Sequence, residues 1–245
     1  MPIIRLLIVF LVYKSVLSSV NGNNSNSEND SKVLQMLIDC GGNVASLRNE
    51  LQDMKDKLER LRSETATDTY IRWGRSSCPS GATTVYDGFA AGSHYSYSGA
   101  AANYICLSKK PKFNSHSSNP RYVSYIYGAE YETAGSIWNN IYDHEVPCAV
   151  CHIPRSSVIM VPGRDDCPEN FKVEYRGYLM SGYYAHTAAT EFVCVDGHPE
   201  TTPYSSANNN NGKLFYFVRA FCGSLKCLPY KEGKQITCAV CSYSP

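Results

Sequence analysis

Cys148-Ala149-Val150-Cys151 recurs ninety residues later as Cys238-Ala239-Val240-Cys241. Other landmarks return in the same order at nearly the same offset; Gly74–Pro79, for example, returns as Gly163–Pro168. Four landmarks in one order at offsets of 88 to 90 residues are hard to reach by chance. The pattern therefore predicts that the C-terminal part of the chain holds two copies of one unit of about ninety residues.

The two predicted units cover about residues 70–155 and 156–245 and together form a cysteine-rich head, residues 70–245. Runs of β-branched and aromatic residues between Gly, Ser and Asn turns indicate strands. The predicted strands are Thr83–Tyr86, Tyr104–Leu107, Tyr122–Tyr127, Phe192–Val195, Leu214–Val218 and Ile236–Val240. Two units are too few for a solenoid, so we expect a mainly β head in which two pseudo-repeated units pack face to face.

The repeat also accounts for the cysteines, of which the chain has 11. Each unit holds four equivalent cysteines, and two disulfides in each unit would satisfy them, with the connectivity left open. These are Cys78, Cys106, Cys148 and Cys151 in the first unit and Cys167, Cys194, Cys238 and Cys241 in the second. Cys222 and Cys227 occur only in the second unit and are predicted to bond to each other.

Paired C-x-x-C motifs are also typical of a four-cysteine zinc site. The spacing between the two motifs follows from the repeat, and a secreted protein would oxidise these thiols. We therefore expect disulfides and neither a metal nor a cofactor.

The N-terminus has the layout of a secretory signal peptide, residues 1–22, in which one basic residue precedes a short apolar run. No second apolar run is long enough to cross a membrane, so a secreted, extracellular protein without a membrane span is predicted. Residues 23–32 are polar and expected to be disordered, with glycan acceptors at Asn23 and Asn29.

Residues 33–63 carry a seven-residue apolar period that predicts a short α-helical coiled coil, joined to the head by a linker, residues 64–69. Its seam consists of Leu37, Cys40, Val44, Leu47, Leu51, Met54, Leu58 and Leu61. Cys40, beside Gly41-Gly42, is the odd cysteine and is predicted to form an interchain disulfide in a homo-dimer or homo-trimer. An amphipathic helix folded back on its own head is the alternative.

Composition and motifs exclude several functions. A net charge of +1 without a basic cluster argues against nucleic acid as a partner. No nucleophile elbow, phosphate loop, zinc-protease helix or calcium loop occurs, and Asp143-His144-Glu145 is interpreted as a solvated turn, so an enzyme with catalytic residues is not expected.

Five aromatic residues in matching loops of the two units are candidate ligand-binding residues: Tyr95, Tyr97, Tyr183, Tyr184 and His186. Aromatic faces near hydroxyl groups suit stacking on a sugar ring or contact with a protein. The alternative is that these side chains only cover the core.

Several strings of the head resemble a known family: Tyr70–Arg75 with Cys78-Pro79, Ala90–Tyr95, Ala102–Tyr104, Tyr127–Tyr131 and Pro147–Cys151. They are similar to the non-collagenous C-terminal domain of sponge short-chain, spongin-type collagens and related secreted invertebrate proteins. The resemblance covers the head and implies an extracellular matrix setting and trimeric assembly. This chain departs from those collagens by carrying a predicted coiled coil in place of the collagen tract.

Together these features predict a secreted, oligomeric extracellular matrix or structural protein with a binding head and no catalytic activity. Its expected partners are further copies of itself and matrix proteins or glycans. A multivalent, lectin-like protein that recognises glycans or microbial surfaces is the alternative.

Overall fold

The computed structural model describes residues 27–113 and 120–244, with only the backbone for residues 27–30 and 62–65. The chain divides into two units, one that ends at Arg60 and a second that begins at Leu61. The predicted signal peptide and the glycan acceptor Asn23 lie outside the described residues, as does the side chain of Asn29. Within the described residues, no helix combines the length and the apolar character that crossing a bilayer requires.

The N-terminal described segment is a helix, α1, over Ser27–Thr65. It begins inside the stretch 23–32 that the sequence predicts to be disordered. The reason is the acidic, serine-containing sequence Ser27-Glu28-Asn29-Asp30, which suits a helix N-terminus. The helix also takes up the first residues of the predicted linker 64–69.

The apolar stripe of α1 is exposed along its length. Its aliphatic seam residues from Leu37 to Leu61 are between 44% and 66% exposed, and Cys40 is an exposed thiol. The helix passes through Gly41-Gly42 without a break, although a glycine inside a helix costs about 0.5–1 kcal/mol relative to alanine. Cys40 therefore keeps its place in the seven-residue register.

The head is mainly β, with ten strands and one short 3-10 helix in its described residues. The strands are β1 (Asp68–Trp73), β2 (Thr83–Gly92), β3 (Ile105–Ser108), β4 (Tyr127–Tyr131), β5 (Pro147–Ile153), β6 (Ser156–Pro162), β7 (Phe171–Ser181), β8 (Val193–Asp196), β9 (Lys213–Phe217) and β10 (Thr237–Tyr243), and the 3-10 helix is Asn139–Ile141. The predicted strand Tyr122–Tyr127 is wrong over most of its length. Tyr122 and Tyr125 are exposed, and the observed strand begins only at Tyr127.

The pairing of the first five strands recurs in the last five. In the first half β5 lies between β1 and β2, and β2 also pairs with β3 and β4, all antiparallel. In the second half β10 lies between β6 and β7, and β7 also pairs with β8 and β9, all antiparallel. Two parallel pairs, β1 with β8 and β4 with β9, join the halves into one sheet. The halves are thus connected edge to edge, whereas the sequence predicts that they pack face to face.

Every cysteine of the head is in a disulfide. The pairs are Cys78–Cys151, Cys106–Cys148, Cys167–Cys241, Cys194–Cys238 and Cys222–Cys227. Both C-x-x-C motifs lie on central strands, and each cysteine of a motif bonds to a different partner. These cysteines hold the strands together and offer no thiolate to zinc.

Two largely buried ion pairs join the first part of the head to strands β7 and β8 of the second half. Arg72 contacts Asp196 at 2.7 Å, and Arg155 contacts Glu174 at 2.6 Å. Lys213 is fully buried, donates to the carbonyl of Ala102 at 3.0 Å and lies over the ring of Tyr104. Burial lowers the pKa of Lys213 to about 8.

Two glycines at matching positions of the halves leave no room for a side chain. A Cβ added at Gly177 would lie 1.8 Å from the carbonyl oxygen of Val195, and one at Gly88 would lie 2.0 Å from that of Leu107. We expect Gly177→Ala to lower the free energy of unfolding by about 3 kcal/mol, because the backbone of a paired strand must move. Gly99→Ala is the control, since a Cβ there meets nothing within 4 Å. Equal urea midpoints for the two variants would contradict this account.

Candidate functional site

The loops that follow β2 and β7 lie side by side. Ala188 N donates to the carbonyl of Tyr95 at 3.0 Å, and Thr187 Oγ1 donates to the carbonyl of Ser96 at 2.7 Å. Because β2 and β7 hold matching places in the two halves, their loops emerge at one edge of the head. The structure therefore brings together two groups of aromatic residues that are about ninety positions apart in the sequence.

Eight rings from these loops and from neighbouring strands form a continuous surface, which we call the aromatic strip. Tyr95 and His186 join the loops, with ring centroids 4.5 Å apart. His94 lies 4.5 Å from Tyr95, and Tyr183 lies 5.2 Å from His186. The members of the strip are Tyr97, Tyr127, His94, Tyr95, His186, Tyr216, Tyr183 and Tyr184, each within 6 Å of another member.

The ends of the strip are open to solvent and its middle is partly buried. Tyr184 is 89% exposed, and Tyr97 and Tyr183 are 43% and 40% exposed. Burial lowers the pKa of His186, so this ring is a neutral, flat surface at physiological pH. The strip thus combines fixed central rings with accessible rings at its ends.

A groove of about 1280 Å³ runs beside one end of the strip. Tyr183, Tyr184, His186 and Tyr216 line it together with polar side chains, which include Glu132 and Arg219. A groove of this size exceeds the roughly 300–1,000 Å³ of most small-molecule sites. It suits an extended ligand better than a single small molecule.

All five candidate ligand-binding residues of the sequence, Tyr95, Tyr97, Tyr183, Tyr184 and His186, lie in the strip. Sequence reasoning missed three further members, His94, Tyr127 and Tyr216. His94 is next to Tyr95 in the same loop. Tyr127 and Tyr216 come from β4 and β9, and no sequence signal places those strands beside the loops.

An acidic cluster lies next to the groove, and we define it as Glu130, Glu132 and Asp143. One carboxylate oxygen of each residue lies within 4.8 Å of the others. Glu130 and Glu132 are two residues apart in extended chain, so they share a face of the strand. The backbone brings Asp143 to them, because Asp143 N donates to the carbonyl of Tyr131 at 2.9 Å.

Asp143 belongs to the segment that the sequence interprets as a solvated turn, and the structure corrects this for Asp143. The residue is only 6% exposed, and Glu130 is 4% exposed. Asp143 has a backbone φ of 62°, which turns its side chain inward at the end of the 3-10 helix region. The missed signal is the Glu-Tyr-Glu alternation at residues 130–132.

Burial and neighbouring carboxylates raise the pKa values of Glu130 and Glu132. Burial, followed by the charges of Asp143 and Glu130, raises the pKa of Glu132 to about 7. Burial also raises the pKa of Glu130, although the backbone amide of Asn211 donates to its Oε2 at 3.1 Å and opposes the effect. Among the described residues, no lysine or arginine forms an ion pair with the cluster.

The raised pKa of Glu132 makes stability depend on pH. A carboxyl whose folded pKa exceeds its unfolded value of about 4.3 stabilises the fold at low pH and loses that contribution as pH rises through the folded pKa. We expect Glu132→Gln, in buffer without divalent cations, to be more stable than the wild type by about 1–2 kcal/mol at pH 8 and equally stable at pH 4. Urea denaturation at both pH values measures this, with Glu169→Gln as an exposed control. A wild-type stability that does not fall between pH 5 and 8 would contradict it.

His144, Glu145 and Ser205 form a second polar group, which anchors a loop. The Ser205 hydroxyl lies 3.0 Å from His144 Nδ1, accepts from Glu145 N and donates to Glu145 Oε2. In a catalytic triad the carboxylate orients the histidine, whereas here it bonds the serine directly. This arrangement holds the loop that includes Ser205 against the turn at Glu145.

A scan against models of known protein families finds no match to this chain.

Proposed function

We propose that this chain is a secreted, non-catalytic binding protein that assembles through α1 and holds extracellular polysaccharide on the aromatic strip of its head. The observation that carries the proposal is the strip itself. Rings from two loops and two strands pack against one another in tilted or edge-on contacts to form one surface, and its outermost members, Tyr97 and Tyr184, are 43% and 89% exposed. A soluble protein rarely leaves such a surface without a binding role.

The chemistry of the strip favours sugars. A pyranose ring presents an apolar face that packs on an aromatic ring, while its hydroxyl groups need hydrogen-bonding partners at the edge. Tyrosine hydroxyls, Thr187, Arg219 and Glu132 provide such partners along the strip and its groove. Successive rings at spacings of 4.5 to 5.9 Å favour a polymer that runs along the surface.

Two further features support a secreted oligomer. Five disulfides suit an oxidising compartment, as expected for a protein that follows a signal peptide. The exposed apolar stripe of α1 suits a coiled coil of two or three chains, with Cys40 at a seam position for an interchain disulfide. Binding of one head would then hold the other heads close to the polysaccharide, so that several weak sites would together bind more tightly than one.

Duplication of one unit explains the position of the strip. The strand pairings recur between the halves, and the disulfides have sequence separations of 73 and 42 in the first half and 74 and 44 in the second. On this account, the loops after β2 and β7 are copies of one ancestral loop. Each copy kept its aromatic residues, and together they double the area of one binding surface.

The acidic cluster does not support a glycoside hydrolase. Such enzymes place two carboxyl groups on either side of a bound sugar, about 5–9.5 Å apart. Of the three cluster residues only Glu132 lines the groove, and Glu130 and Asp143 are buried. The cluster therefore offers the groove one carboxylate, and the groove's other carboxylate, Glu232, accepts a hydrogen bond from Cys222 N at 2.6 Å.

The test is binding of the full-length secreted protein to an array of glycans and microbial polysaccharides. We expect a selective, saturable signal that the double variant Tyr97→Ala and Tyr184→Ala weakens at least tenfold, because each stacked ring contributes about 1 kcal/mol. Tyr204→Ala is the matched control, since Tyr204 is fully exposed and lies outside the strip. A blank array for the folded oligomer, or equal losses in the strip and control variants, would refute the proposal.

A structural role in the extracellular matrix is the second candidate, and the exposed Cys40 with five head disulfides favours it. Chains joined at Cys40 would form a durable, cross-linked material. Stoichiometric incorporation into an insoluble matrix that excess free sugar fails to release would support this role over saturable polysaccharide binding.

A further inference from the structure

We propose that the acidic cluster is a binding site for a divalent cation of the calcium class. This inference goes beyond polysaccharide binding and stands without it. It rests on three side chains, Glu130, Glu132 and Asp143, and on the lack of a basic partner for them among the described residues.

The cluster has the ligand type and size that calcium requires. Calcium takes oxygen ligands, mainly carboxylates, at roughly 2.3–2.6 Å, so two ligands on opposite sides of the ion lie about 5 Å apart. One oxygen from each of the three carboxylates lies within 4.8 Å of the others, which is within this limit. A single ion at their centre could contact all three residues with little movement of the side chains.

The fold also leaves one buried oxygen of these carboxylates without a hydrogen-bond partner. Asp143 is 94% buried, and its Oδ1 has no hydrogen-bond partner. Its side chain is directed into the cluster, since one of its oxygens lies within 4.8 Å of an oxygen of Glu130 and of Glu132. A buried carboxylate oxygen without a partner costs about 1–3 kcal/mol or more, and a bound cation would remove that cost.

Among the described residues, no positive charge balances these three carboxylates. Within the described residues, the two buried arginine pairs use Asp196 and Glu174, and none of the ion pairs includes a member of the cluster. The nearby titratable groups are Glu145, Tyr142, Tyr216 and His144, and His144 Nδ1 lies 3.0 Å from the Ser205 hydroxyl rather than at the cluster. Three carboxylates with no basic partner are a strong attraction for a divalent cation.

Glu132 places the proposed ion at the edge of the groove, because it is the member of the cluster that lines it. Three protein side chains supply fewer than the 6–8 oxygens that calcium prefers, so water would complete the coordination. Sites of this open kind in extracellular modules bind calcium with Kd values of about 10⁻⁴–10⁻³ M.

The experiment measures the Tm of the full-length protein after treatment with chelator, at pH 7.5, with 10 mM CaCl2 or 10 mM MgCl2. We expect calcium to raise Tm by about 5 °C and magnesium to raise it less, because magnesium demands near-octahedral geometry. Asp143→Asn keeps a residue that tolerates positive φ and should lose the calcium shift. Glu169→Gln, an exposed carboxylate elsewhere, should keep it.

If Asp143→Asn does not fold, a second variant, Glu132→Gln, and a second measurement, terbium luminescence, still test the site. Glu132→Gln is expected to be stable without metal and to lose the calcium shift. Luminescence of terbium, excited through nearby tyrosines, should rise with the wild type, fall on addition of calcium and be absent with Glu132→Gln. No calcium shift in the folded wild type, or an equal shift in Glu132→Gln, would overturn the site and leave the polysaccharide proposal untouched.

Discussion

On the proposed assembly through α1, replacement of Leu51 and Leu58 by glutamate is expected to leave single chains and to weaken attachment to immobilised polysaccharide by about 100-fold or more. Both leucines are seam residues and are at least half exposed within the chain. Two charges in the seam remove the apolar contact that a coiled coil of this length requires. Single chains would then lack the 10²- to 10⁴-fold gain in apparent affinity that linked weak sites provide.

The matched control places the same two glutamates at Ser46 and Asn49, which lie on α1 outside the seam. It should remain oligomeric and bind as the wild type does. Light scattering after size exclusion measures the assembly, and binding to a polysaccharide-coated surface measures the attachment. A seam variant that stays oligomeric, or that binds as tightly when monomeric, would contradict the account.

Removal of the disulfide between Cys194 and Cys238 by double serine substitution is expected to cost about 4 kcal/mol, or about 12 °C in Tm. This disulfide closes a sequence separation of 44 and joins β8 to the central strand β10. Both sulfurs are buried, and cross-linking distant residues restricts the unfolded chain more than cross-linking near ones.

The control removes the disulfide between Cys222 and Cys227, which spans a separation of only 5. It lies in an exposed loop, and its loss should cost about 2 kcal/mol by the same reasoning. Thermal unfolding followed by circular dichroism compares the two double variants. A larger loss for the small loop than for the core disulfide would show that the strands, not the cross-links, carry the stability of the head.

The mainly β, disulfide-rich head was predictable because its signals are local. Strands β3, β8, β9 and β10 follow short β-branched or aromatic runs between turns, and the cysteines repeat at a fixed offset. The length of β7 and the central position of β5 were not predictable, since pairing partners are set by contacts between distant residues. The segment before Tyr127 looked like a strand by composition, but composition does not show that a segment lacks a neighbour.

The candidate site was predictable in part for a similar reason. Tyr95 and Tyr183 stand out because aromatic residues recur in matching loops of the repeat. The acidic cluster did not stand out, because Asp143 is eleven residues from Glu132 and only the turn at Asp143 brings them together. Burial of Asp143 and Glu130 is a property of the folded chain, and an isolated carboxylate in a polar sequence gives no sign of it.

The most direct test of the central claim uses the ring resonances of the histidines. His94 and His186 lie in the aromatic strip, whereas His144, His152 and His198 lie outside it. The full-length protein, labelled at histidine, is titrated with the oligosaccharide that binds best on the array and followed by NMR. The account predicts saturable shifts of the His94 and His186 rings and none of the His144, His152 and His198 rings. Saturating ligand that leaves both strip histidines unchanged, or that shifts His152 or His198 instead, would contradict it.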